Sequence, residues 1–221
     1  MKRLLYLLVC ICSINMLSAQ TSKTQTNKYV DTQSKEILDA LYQKMLSYAN
    51  VNIQFTFRTE KNAATLAEMK GDIWVKGNQY KLITKEQQVY CNAKEVWTYL
   101  PEQKEVSIAA YDSTDVEQLN PLQMVKDYQK HYRSTYIREE SRRGILVQII
   151  DLTPKSATTV AKVRLVIDKS KKQILNAVIY EKDGTMYHYI VDKFLVNQKL
   201  TDNTFIFDTA AHPDVDVIDM R

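Results

Sequence analysis

"GDIWVKGNQYKLI", residues 71–83, decides the fold class. Ile73 and Val75 alternate with Asp72 and Lys76, Gly77-Asn78 is a two-residue turn, and Tyr80 to Thr84 runs back as a second strand. A similar phrase, "EVWTYLPEQKEV", follows at residues 95–106. Upstream, "VNIQFTFR" places Val51, Ile53, Phe55 and Phe57 on one face and Asn52, Gln54, Thr56 and Arg58 on the other, the mark of a half-buried strand. Downstream, further strands are expected at 88–91, 96–100, 105–110, 136–140 and 145–152. "KVRLVID" then puts Val163, Leu165 and Ile167 on one face, a hairpin turns at Asp183-Gly184, and a late strand is expected at 204–207. Short strands joined by tight turns mean an antiparallel meander, because parallel pairs need long crossovers.

Two segments change period. Ser34 can cap a helix in which Ile37, Leu41, Met45 and Ala49 recur every four residues, with Leu38 alongside. "NPLQMVKDYQKHY" (120–132) has Asn120 as cap and Pro121 at the first helical position, and Leu122, Val125, Tyr128 and Tyr132 form its stripe. The pattern predicts a mainly β fold with helices. About ten or eleven strands with no helical crossover between them suit a single large, strongly curved antiparallel sheet with the two helices on its concave side. Residues 34–221 read as a single domain, and the polar stretch 20–33 as a flexible leader.

The first nineteen residues read differently. Lys2 and Arg3 precede an apolar run from Leu4 to Ile14, and Ser18-Ala19 ends it, which predicts a secretory signal peptide over 1–19. The run is short for a bilayer span. Cys10 and Cys12 sit inside it, preceded by Val9 and Ile11, a poor setting for acylation. Without the signal one cysteine remains, Cys91, so no internal disulfide is expected, and a small buried hydrophobe is the natural reading of it.

The formal charge falls from +4 to +2 when Lys2 and Arg3 leave, a balance that argues against a nucleic-acid partner. Gly71, Gly77, Gly144 and Gly184 are too dispersed for a phosphate-cradling loop. His131, His188 and His212 lack any zinc spacing. Asp214, Asp216 and Asp219 could face a cation but lack calcium-loop spacing, and alternation with Val215 and Val217 favours plain exposure. No catalytic residue, metal or cofactor is expected. An enzyme acting on envelope lipid, with His188 or Asp183 as its chemistry, is the rival reading. A curved sheet with apolar alternation can instead enclose a ligand, although the same positions serve a packed core equally well.

"GDIWVKGNQYKLI", "KEVWTYLPEQKEVSI", "DLTPK" and the stretch from "RLVIDKSKKQILNAVIYEKDGTMYHYIVDKF" to "HPDVDVID" resemble, in this order, the periplasmic outer-membrane lipoprotein carrier family, LolA. The resemblance covers nearly the whole chain after the signal. It implies a periplasmic shuttle, expected as a monomer, that takes acylated lipoproteins from an inner-membrane ABC transporter to an outer-membrane acceptor. It implies an unclosed antiparallel β-barrel of about 11 strands with a helical lid on its concave side, an acyl-chain cavity, for which the candidates are Phe55, Phe57, Ile73, Val75, Leu165 and Ile167, and a lid carrying Leu122, Val125 and Tyr128. The family's lid-holding arginine matches Lys81, which keeps the charge but loses the planar fork of donors. Trp74, Trp97 and Tyr99 could face either side of the sheet. A periplasmic lipid- or peptide-binding sensor module of the same fold is the alternative function.

Overall fold

The computed structural model describes residues 31–111 and 128–221. Helix α1 spans Thr32–Leu46 and a one-turn helix α2 spans Tyr128–His131. Twelve strands form one sheet in the order β12-β6-β5-β4-β3-β2-β1-β11-β10-β9-β8-β7. The first meander is β1 (Val51–Lys61), β2 (Ala64–Lys76), β3 (Gln79–Thr84), β4 (Gln88–Cys91), β5 (Glu95–Leu100) and β6 (Glu105–Ala110). The second is β7 (Tyr132–Arg142), β8 (Ile145–Pro154), β9 (Val160–Asp168), β10 (Gln173–Glu181) and β11 (Thr185–Val196). The two join where β1 pairs antiparallel with β11, from Val51↔Val196 to Lys61↔Thr185. Among the described residues β12 and β7 end the sheet without pairing to each other, so it does not close.

Several expectations change, among them Tyr132, read into the stripe of the second helix, which instead opens strand β7. The segment around Thr204 to Phe207 is not a strand. It is a 3₁₀ turn, Asp202–Phe205, followed by a second at Thr209–Ala211. Phe205 and Phe207 are its buried anchors, so the apolar spacing reports attachment to the sheet rather than strand pairing. After these turns β12 (Asp216–Asp219) adds to β6 in parallel, the one exception to the antiparallel pattern among the described residues. The first hairpin is also longer than read. It turns at Asn62-Ala63, where both residues have positive φ, so the polar stretch on either side is strand.

Several strands carry an extra residue that the neighbour does not match. Leu66 on β2, Ile137 on β7, Ala161 and Leu175 at the β9:β10 pair, and Asp192 on β11 are skipped by the registers. Such bulges bend the strand and increase its twist, which curls a sheet of this width.

Helix α1 is fixed to the second meander by its own N-terminus. The cap is Asp31 rather than Ser34: one carboxylate oxygen accepts from the Ser34 N–H (3.0 Å) and the other from the Tyr136 N–H of β7 (2.6 Å). Ser34 is instead fully buried, its hydroxyl donating to the Asp31 carbonyl and lying 2.7 Å from the Ser134 hydroxyl. Leu38 and Leu41 then pack on Ile150, Leu152, Val163 and Leu165. The face of the sheet under α1 is its inner face. Across the seam, the same face of β1 carries Phe55 above Gly71, where an added Cβ would run into the Phe55 ring.

Asp31→Ala, which removes the cap and the tie to β7, is expected to lower the unfolding free energy by about 1–2 kcal/mol, read from urea denaturation followed by circular dichroism. Gly71→Ala is expected to cost about 1–3 kcal/mol through overpacking. Phe55→Leu in the same chain should recover part of that loss if the ring is the obstacle.

Candidate functional site: the apolar inner face

Strand parity along β1 organises the inner face. Ile53, Phe55 and Phe57 point to one side, and their partners extend the stripe in both directions: Ile53 to Ile73 and on to Leu82, Phe57 to Tyr189 and on to Ala177 and Leu165. The stripe divides into two lobes. In the first, Leu165 and Ile167 lie with Ile150, Leu152, Val163 and Ile179 beneath Leu38 and Leu41 of α1. At 6% and 1% exposure, Leu165 and Ile167 are sealed. In the second, Phe55, Ile73 and Val75 pack around buried Tyr80, Leu82, Val89 and Cys91 and remain half-buried themselves. Among the described residues no helix packs on this second lobe.

Phe57 stands at the seam. Its ring lies 6.1 Å from Tyr187, stacked, and 4.9 Å from Tyr189, and both tyrosines pack against the first lobe. The medium there is apolar: burial, with Tyr187 adding to it, pushes the Tyr189 phenol up to about 12. Burial likewise raises the Cys91 thiol, though the Ala93 and Tyr80 backbone groups oppose it, so Cys91 is held as a neutral apolar side chain.

The six candidate cavity residues therefore share one face but not one environment. Leu165 and Ile167 belong to a closed core, Phe55, Ile73 and Val75 to a partly open lobe, and Phe57 joins them. Of the lid candidates, Tyr128 is 4% exposed and lies in the α1 cluster. Leu122 and Val125 lie outside the described residues.

Lys81 is not on this face. Its neighbours Tyr80 and Leu82 point inward, so it points outward, cross-strand from Trp74 and Tyr90, with its amine 4.9 Å from the Tyr90 ring centre. On the outer face it makes a cation–π contact, and the lid residues it was expected to hold, Leu122 and Val125, lie outside the described residues. Trp74, Trp97 and Tyr99 are settled in the same way: register puts all three on the outer face. There Trp97 is buried with Val106, Ile108 and Phe207, while Tyr99 and Phe207 pack with His212, whose ring stacks 4.8 Å from Phe207. No periodic signal announces this cluster, because Phe207 and His212 reach the sheet from an irregular segment.

The residues of the rival chemistry are held apart. Asp183 accepts from Lys61 (2.7 Å) and from the Thr185 N–H and hydroxyl, which together hold its carboxyl down to about 2. His188 stands three strand positions beyond Thr185, about 10 Å at β rise, with its Nε2 3.4 Å from Glu60. Asp214 and Asp219 bind Lys104 and Arg221.

The burial of Tyr189 has a measurable consequence. Its folded pKa lies above the ordinary phenol value, so the folded state resists ionisation. Stability is complete below about pH 10 and declines between about 10 and 12, where the unfolded chain gains the phenolate first. Tyr189→Phe should flatten that part of a stability-against-pH curve.

A family model described as outer membrane lipoprotein carrier protein LolA matches residues 47–208. No curated protein matches the chain. An uncharacterized conserved protein from Thermus thermophilus superposes with a TM-score of 0.58 at 14% identity, covering 85% of this chain and 99% of that one. The lipoprotein LppX of Mycobacterium tuberculosis superposes with a TM-score of 0.52 at 12% identity, covering 77% and 98%. At such identities the likeness is one of fold. The family match runs from the end of α1, through both meanders, to the aromatic anchors on the outer face, and the chain belongs to the outer membrane lipoprotein carrier protein LolA family.

Proposed function

We propose that this protein is a periplasmic carrier that holds the acyl chains of lipoproteins against the β1–β5 half of its inner face. It would receive them from an inner-membrane ABC transporter and pass them to an outer-membrane acceptor. The supporting observation is the difference between the lobes: Phe55, Ile73 and Val75 keep partly exposed apolar surface, while the α1 half is packed shut. The site is therefore the open lobe with Phe57 at its margin. Leu165 and Ile167 lie across the seam in the closed core beneath α1, and Lys81 faces the opposite side of the sheet. Leu122 and Val125 keep the lid role inferred from their helical stripe. No helix among the described residues is long and apolar enough to cross a membrane.

The energetics suit handoff. Each buried CH₂ releases about 0.8 kcal/mol, so two or three acyl chains fully enclosed would release roughly 25 to 40 kcal/mol on that scale, beyond the ceiling of about 20 for non-covalent affinity. A carrier must recover much less and release its cargo. A lobe that covers only part of each chain, and a helix stripe that must be displaced before loading, both reduce the net gain.

The test is to purify the protein from a bacterial periplasm and identify what accompanies it by mass spectrometry. Acylated lipoprotein at about one per protein is expected, lost in Phe55→Asp/Val75→Asp. Leu165→Ala should keep its cargo while losing about 2–5 kcal/mol of stability. Bound phospholipid or fatty acid alone would favour a lipid-binding module of the same fold. An empty protein that also fails to release lipoprotein from spheroplasts would overturn the carrier reading.

A further inference from the structure

We propose that the β7–β8 and β9–β10 hairpin tips together form a docking surface for an anionic lipid bilayer. The two tips lie side by side, because the Lys169 N–H donates to the Leu146 carbonyl (3.0 Å) and Val147 pairs with Asp168. Each tip has a fixed shape. Arg143 and Gly144 both adopt positive φ in a two-residue turn. In the other, the buried Asp168 carboxylate accepts from the Ser170 N–H (2.9 Å), the Ser170 hydroxyl (2.6 Å) and the Lys171 N–H (2.9 Å), and the Lys172 N–H donates to the Asp168 carbonyl. Arg143, Lys169, Lys171 and Lys172 are all exposed on this scaffold.

The charge is one-sided. Glu139 is matched by Lys169 (2.8 Å), and Glu140 is shared by Arg138 and Arg142 (2.5 Å each). Asp168 is buried in its turn. Arg143, Lys171 and Lys172 carry no ion pair among the described residues and are free to meet an anion. Between the basic tips stand two exposed aliphatic side chains, Ile145 at 37% and Leu146 at 45%. An acidic protein surface would satisfy the cations but leave these side chains in water. A bilayer interface accepts both, with phosphate at the cations and the acyl boundary at the aliphatic groups. Leu146 lies on the inner-face side of β8, in parity with Ile150 and Leu152, so the docked end is also a rim of the apolar face. The proposal rests on the charges and side chains of the tips and stands whether or not the protein carries lipoproteins.

The experiment is vesicle co-sedimentation of the purified protein. Vesicles of phosphatidylethanolamine with phosphatidylglycerol are compared with pure phosphatidylcholine, at low and at physiological salt. Binding to the anionic vesicles that weakens with salt is expected. A basic residue near an anionic surface contributes about fivefold, so Arg143→Gln/Lys171→Gln/Lys172→Gln should bind about a hundredfold more weakly. Leu146→Ser, tested separately, should weaken binding without changing its salt dependence. Unchanged thermal unfolding will show that the variants fold. Equal binding to both vesicle types, no binding to either, or wild-type affinity in the triple variant would each overturn the proposal. So would retention on an immobilised polyglutamate column with no vesicle binding, which would identify an acidic protein partner. Loss of cargo in Phe55→Asp/Val75→Asp with vesicle binding intact would show the two activities to be separate.

Discussion

The pairing of β1 with β11 is the constraint on which the rest depends. It unites two meanders that are each local in sequence, and its partners, such as Val51 and Val196, lie far apart along the chain. Every other neighbouring pair except β12:β6 connects strands adjacent in sequence. Without this one pairing the chain would be two small sheets, each with an exposed apolar face and two open edges. With it, one stripe of side chains runs from Leu82 through Phe57 to Leu165. Closing so long a loop is entropically costly before it returns contacts, which makes this the slow step expected of folding.

The seam also separates two kinds of apolar surface. On one side α1 is fastened to the edge strand by the Asp31 carboxylate and closes over a dense core. On the other the same strand alternation continues, yet Phe55, Ile73 and Val75 are left with accessible area. A single pattern thus yields a rigid half and a receptive half. The outer face is stabilised by other means. The Asp151 carboxylate, despite burial that would raise its pKa, is held below the ordinary range by Arg164 and Lys162, and Phe207 anchors the segment after β11.

Much of this was legible in the sequence. The strands of the first meander after Gly71 read almost residue for residue, because period-two alternation and Gly77-Asn78 punctuate them clearly. The side facing of Phe55, Ile73 and Leu165 followed from the same period. Elsewhere the pattern was silent. The hairpin at Asn62-Ala63 lacks glycine, so its turn went unseen. Ser34 resembled a cap, but Asp31 has a second partner on β7 that only the tertiary structure supplies. Lys81 matched a family position by sequence, whereas its direction depends on register with Leu82 and Tyr90. The division of the inner face was likewise invisible, since Leu165 and Val75 are equivalent as alternating aliphatics and differ only in what lies above them.

The unmatched residues in the ladders carry one more implication. A deletion inside a regular strand inverts every side chain beyond it, exchanging core for surface. Removing Asp192, Leu175 or Ile137 would instead restore a regular ladder and flatten the bowl locally. Curvature in this protein is therefore written as insertions rather than as residue identities. Adding or deleting one such residue would change the width of the inner face locally. The overall fold is shared with the Thermus thermophilus protein at 14% identity.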